Sequence, residues 1–157
     1  MNNNATDKDG LNILQRADIS KTPQRLAVLN ILLKSTTPLN VSCVRELLTG
    51  KNRIDRVTVY RILSLFKQRG IIREITSTGG VNFIEMATQE NPVHPHFSCR
   101  SCGMLSCLEP LTFSQSHQLI SAKEDYSVDH IEINISGICS GCRNATMLQK
   151  QSGKGEQ

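Results

Sequence analysis

Up to Gly70 the apolar residues of this chain recur at helical spacing, and beyond it the period shortens towards two. Residues 1–9 are polar and expected to fray, with a short helix over 10–17. Thr22-Pro23 opens the next helix, Thr as the cap and Pro in the first turn, with Leu26, Val28, Leu29, Leu32 and Leu33 as its apolar stripe. Thr36-Thr37-Pro38-Leu39-Asn40 interrupts it. Asn40 then caps a third helix that carries Val41, Val44, Leu47 and Leu48 and ends at Gly50. Asp55 caps a fourth helix, which runs to about Arg69 and stops at Gly70.

Two strand-like runs, 71–75 and 81–85, flank the turn Ser77-Thr78-Gly79-Gly80. Short helices followed by a hairpin make the winged helix-turn-helix pattern. A polar, proline-ended stretch over 87–92 reads as a hinge. Past it the pattern gives strands over 96–99 and 104–108, a helix over 111–122, a long strand over 126–138 and a short final helix. The fold class expected is therefore α+β: a winged-helix domain over 10–87, a hinge over 88–93, a small α/β domain over 94–148 and a disordered tail over 149–157.

Composition narrows what such a chain can do. Its 157 residues contain no apolar run long enough for a membrane span. The N-terminus lacks the basic start and apolar core of a secretory signal, so a reducing, cytoplasmic setting is expected. In that setting six cysteines favour metal ligation over disulfides. Charge is uneven: residues 1–87 hold 13 Lys/Arg against 7 Asp/Glu, whereas 88–157 hold 5 against 7. A basic first part suggests a surface that faces nucleic acid.

On a helical wheel of the fourth helix, Val59, Ile62, Leu63 and Phe66 share one side. Arg61, Ser64 and Gln68 point the other way, with Tyr60 on the flank. An aromatic, an arginine and a hydroxyl facing outward suit a major groove, where they meet thymine methyls, guanine edges or phosphates. Lys21, Arg25 and Arg56 are placed to bind the phosphate backbone.

The densest chemistry lies in His94-Pro95-His96-Phe97-Ser98-Cys99-Arg100-Ser101-Cys102-Gly103. Cys99 and Cys102 form one Cys-x-x-C, and Cys139 and Cys142 form another after a gap of 36 residues. Four thiolates close a tetrahedral zinc site with no open position, which makes the site structural. A redox role for the pairs would need a thioredoxin-like βαβ context that this pattern lacks. His94 and His96 are surplus to that cage. Two apart in a strand, they leave the same face and form a clamp that needs further ligands.

Thr22-Pro23-Gln24-Arg25, Thr58-Val59-Tyr60-Arg61, the His94–Gly103 run and Ser136-Gly137-Ile138-Cys139-Ser140-Gly141-Cys142 together resemble the ferric uptake regulator (Fur) superfamily, in the family's order and over about residues 10–145. The resemblance implies a dimeric, metal-dependent repressor with a winged-helix domain and an α/β dimerisation domain, bound to double-stranded operator DNA. It adds Thr58 to the expected DNA-contacting set of Lys21, Arg25, Arg56, Tyr60, Arg61 and Ser64. It also implies a regulatory site. Glu85 stands where the family draws a carboxylate, and Cys107 where several members place an acidic ligand. Glu85, His94, His96 and Cys107 thus form a four-ligand set, with a buried core thiol as the alternative for Cys107.

Departures from the family pattern refine this reading. Pro38 stands where many relatives have a metal-reaching histidine, and Val93, Pro95 and Ser114 stand where a third site would need His, Asp and Glu. Only His130 remains near that third site, and it reads as structural. Fewer ligands and a thiolate favour tetrahedral zinc at the regulatory site, with iron or manganese as alternatives. Cys43 and His117 receive no role. The expected function is a zinc-responsive repressor of the zinc-sensing branch that binds a palindromic operator as a homodimer. The rivals are an iron-dependent or peroxide-sensing repressor, a constitutive DNA-binding protein with structural zinc only, and a cysteine-based enzyme using Cys107 with His117 or His130.

Overall fold

Thr22, Asn40 and Asp55 each accept a hydrogen bond from the backbone N–H three residues on, at 3.3, 2.9 and 2.9 Å, and each begins a helix. These caps satisfy N–H groups that a first helical turn leaves without an internal partner. The computed structural model describes residues 3–120 and 131–145. The chain divides into two units, one made of Met1–Thr76 with Val81–Pro92 and the other of Ser77–Gly80 with Val93–Gln157.

The first unit runs α1 (Asn3–Arg16), α2 (Pro23–Lys34), β1 (Leu39–Asn40), α3 (Val41–Leu47), a single 3-10 turn (Gly50–Asn52), α4 (Arg56–Gln68), β2 (Ile72–Thr76) and β3 (Asn82–Met86). Its sheet has the order β1-β3-β2, all antiparallel. The core gathers Leu14 from α1, Val28, Leu29 and Leu32 from α2, Val44 from α3, Val59, Ile62, Leu63 and Phe66 from α4, and Ile72 and Ile84 from the sheet. All four positions that the wheel assigned to the inner face of α4 are buried.

Several local expectations are corrected. The first helix starts at Asn3 rather than at residue 10, and Asn30 Nδ2 ties it to α2 by donating to Asp7 Oδ1 at 2.5 Å. Leu39 and Asn40, read as part of a break, form a short strand opposite Ile84 and Phe83. Helix α3 ends at Leu47, before Gly50, and Leu47 is exposed while Val44 and Leu48 are buried. The hairpin strands sit one residue later than expected, at 72–76 and 82–86, because the Ile71 N–H is already bonded to Phe66 O at 2.9 Å.

The second unit holds β4 (His96–Cys99), β5 (Leu105–Cys107), α5 (Phe113–Ile120) and β6 (Asn134–Gly137), and the chain is helical again over 140–145. Strand β4 is central, antiparallel to β5 and parallel to β6. A parallel neighbour needs a crossover connection, and α5 lies in the chain between β5 and β6. Gly137 allows the close approach of β6: a Cβ there would lie 3.0 Å from Phe97 Cε2. The first part of the long strand expected over 126–138, the end of the helix expected over 111–122, His130 and the tail over 149–157 lie outside the described residues. Among the described residues no helix is long and apolar enough to cross a membrane.

Candidate metal centres

Strand β4 delivers Cys99 to its C-terminal end, where the residue is 1% exposed. The chain then turns back: Gly103 N–H donates to Cys99 O at 2.9 Å, and Cys99 N–H donates to Met104 O at 2.8 Å. Gly103 takes φ +73°, a conformation side chains resist, so the turn after Cys102 calls for glycine. From the other side, Arg100 N–H donates to Gly137 O at 2.9 Å and holds the end of β6 beside the turn. Cys139 and Cys142 follow at once.

Within this frame the sulfurs of Cys99, Cys102, Cys139 and Cys142 all lie within 4.8 Å of one another. Cys102 Sγ is 3.8 Å from Cys139 Sγ. A tetrahedral zinc with bonds of about 2.3 Å separates its sulfurs by roughly 3.8 Å, so the donor set fits that ion. None of the four is joined in a disulfide. Two backbone amides aim at sulfur, Cys139 N–H at Cys99 Sγ (3.3 Å) and Cys142 N–H at Cys139 Sγ (3.5 Å). The Cys139 amide is the main reason the Cys99 thiol is drawn down to about 6. At Cys102 the Met104 amide pulls downward, but the neighbouring thiols together push the group up to about 11. Crowded sulfurs share few protons comfortably, and a divalent cation removes that conflict.

The second set starts just before the same strand. His94 and His96 are 6% and 3% exposed, with ring centroids 4.5 Å apart and planes inclined by 43°. His94 precedes β4 and His96 opens it, so the pair converges although only one of the two is in the strand. Cys107 ends β5 directly opposite His96. One donor atom from each of these three residues lies within 4.8 Å of the others. Cys107 is exposed, which is contrary to the alternative of a buried core thiol.

Glu85 belongs to the first unit. It sits on β3, 7% exposed, and accepts from Arg73 Nε at 2.5 Å across the hairpin. Arg73 was not legible as a site residue, because its importance comes from the hairpin register and from carbonyl partners at 91 and 92. Pro38 and Pro95 are buried, whereas Val93 and Ser114 are exposed. Cys43 is half-buried, and His117 is exposed on α5.

The basic face of α4 has a defined arrangement. Tyr60, Arg61, Ser64 and Gln68 are exposed, with Thr58 half-buried at the first turn. Arg56 stacks its guanidinium 5.4 Å over the Tyr60 ring and donates to the Tyr60 hydroxyl at 3.3 Å. Of the other basic residues, Lys21 donates to Gln15 Oε1 at 2.8 Å and Arg25 to Ser20 O at 2.8 Å.

The sequence profile of the ferric uptake regulator family matches residues 16–136. Among curated relatives, the peroxide operon regulator of Bacillus subtilis is 26% identical over 136 residues, covering 86% of this chain and 92% of that protein. The peroxide-responsive repressor PerR of Staphylococcus aureus is 29% identical over 132 residues, covering 83% and 87% respectively. The crystal structure of the Vibrio cholerae ferric uptake regulator superposes with a TM-score of 0.66 at 25% identity, over 82% of this chain and 98% of that one. A zinc uptake regulator complexed with zinc and DNA shares the fold at a TM-score of 0.62 and 19% identity, over 91% and 96%. The named relatives are regulators and repressors, not enzymes. With a family match over most of its length, this chain belongs to the ferric uptake regulator family.

Proposed function

We propose that this chain is a zinc-responsive transcriptional repressor that binds a palindromic DNA operator as a homodimer. Family membership supports a metal-dependent regulator and argues against the cysteine-enzyme reading. The observation that carries the zinc assignment is the convergence of His94, His96 and Cys107, two imidazoles and a thiol, beside β4. A soft sulfur in a set of few ligands suits zinc better than the oxygen-rich, six-coordinate sites of iron or manganese.

In this reading Cys99, Cys102, Cys139 and Cys142 hold a structural zinc, and Glu85 completes the regulatory set. Zinc held there would supply a cationic cross-link between these ligands; the protein supplies the geometry and the response. Drawing Glu85 on β3 into the same coordination sphere as the histidine pair would fix a DNA-binding orientation. Metal then acts only through its differential affinity for that state, and about 5.5 kcal/mol would carry a switch from 1:99 to 99:1. Tyr60, Arg61 and Ser64 would read the major groove, with Thr58, Arg56, Lys21 and Arg25 towards the backbone.

A peroxide-sensing role is the second reading, favoured by the names of the relatives at 26% and 29% identity. One experiment separates them: operator binding titrated with zinc, manganese and iron, with and without peroxide. Zinc-dependent binding that survives peroxide and falls at least about tenfold in Arg61→Ala is expected. Iron-dependent binding abolished by peroxide would move the assignment to the second reading.

A further inference from the structure

Arg73 on β2 lies directly opposite Glu85 on β3. Its Nε donates to Glu85 Oε1 at 2.5 Å, while Nη2 donates to Asn91 O at 2.7 Å and Pro92 O at 2.8 Å. The arginine side chain is 17% exposed and the glutamate 7%. Asn91 is itself anchored: its Nδ2 donates to Met86 O at 2.8 Å, and its N–H to Thr88 O at 3.1 Å. The stretch after β3, which composition alone presents as a polar hinge, is therefore pinned to the hairpin. One planar fork serves a carboxylate and two carbonyls, which a single point charge cannot do in the same geometry.

We propose that Arg73 is a positioning residue for the regulatory metal: it aims the Glu85 carboxylate and fixes the backbone at 91–92, two residues ahead of His94. The proposal rests on the reading of Glu85 as a ligand given above. Carboxylate ligands are oriented by their own hydrogen-bond partners, and loss of such a partner typically lowers metal affinity roughly 10–100-fold. A second consequence concerns the metal-free protein. A buried carboxylate needs a counter-charge, and Arg73 provides it before any cation arrives. A purely structural ion pair would need Glu85 alone. Here Nη2 goes to the two carbonyls that lead towards the histidine pair.

The test uses full-length protein with its four-cysteine site loaded and zinc as the probe. Arg73→Lys keeps a positive charge for Glu85 but loses the fork. Affinity for the second zinc equivalent, measured by chelator competition, should fall roughly tenfold or more. Hydrogen exchange of the amides over 87–91 should speed up, while the first zinc and the fold stay as in wild type. Wild-type zinc affinity in Arg73→Lys overturns the proposal. Glu85→Gln separates it from the reading beneath: if Glu85→Gln loses the second zinc while Arg73→Lys keeps it, only the role of Arg73 falls. Retention of the second zinc by Glu85→Gln overturns both. Should Arg73→Lys fail to fold, Asn91→Ala, which loosens the 91–92 backbone and leaves the Arg73–Glu85 pair in place, carries the same two readouts, and wild-type zinc affinity in it overturns the proposal.

Discussion

His96 on β4 and Cys107 on β5 are directly opposed partners in the antiparallel ladder, with Phe97 opposite Ser106 next to them. Opposed residues hold their Cβ atoms roughly 4.5–5.5 Å apart, so strand pairing alone brings an imidazole and a thiol to one point. His94, 4.5 Å from His96 by ring centroids, closes the third side.

Cobalt makes that juxtaposition visible, because thiolate ligation gives a charge-transfer absorption that nitrogen and oxygen ligands lack. A second equivalent of cobalt added to wild type should produce an added thiolate band, and Cys107→Ser should abolish the increment while the first equivalent's spectrum is unchanged. Persistence of the increment in the variant would remove Cys107 from the site, and the preference for zinc with it.

The four-cysteine cluster predicts a different behaviour. Its cysteines come from the end of β4 and the turn after it and from the chain just past β6, so the binding free energy of a structural zinc there, about 10 kcal/mol or more, would also be folding free energy. Cys99→Ser and Cys142→Ser should each lose the tightly held zinc and unfold the second unit, seen in metal content and far-ultraviolet circular dichroism. A variant that stays folded with a wild-type thermal midpoint would show that the cluster is not structural.

Acid titration probes the start of α4. The Asp55 carboxyl is held below its ordinary value chiefly by the Thr58 side chain, then by the Thr58 amide. A carboxylate depressed on folding contributes stability that is full above its unfolded value near 4 and is lost as pH falls through the folded value. Asp55→Ala should therefore lower the thermal midpoint at pH 7, and the gap to wild type should narrow steadily below about pH 4. A gap of constant size down to pH 2 would mean that the cap acts without its charge.

Much of this was open to a sequence reader because the signals were local. Thr22, Asn40 and Asp55 announce helices through a bond to a residue three positions away, and the inner face of α4 follows from periodicity alone. Failures came where a distant partner decides. Leu39-Asn40 is too short to show alternation and is a strand only because β3 pairs with it. Leu47 fits a helical stripe, but α3 ends there and leaves it exposed. Arg73 is one of many surface-like arginines until the hairpin register sets it against Glu85 and the chain beyond β3 brings two carbonyls to it. The cysteine pairs were legible from spacing, yet their meeting depends on the parallel pairing of β4 with β6.

That parallel pairing also makes the sulfur cluster a check on assembly errors. Cys99 stands opposite Gly137, two residues before Cys139. A slip of two residues preserves the inward and outward faces of both strands, so side-chain burial alone discriminates weakly against it. The same slip moves Cys139 by about 6.6 Å along the strand, further than the 4.8 Å within which the four sulfurs now gather. Only the correctly registered chain could close around an ion, so metal capture there would single out one pairing from several that apolar packing would tolerate.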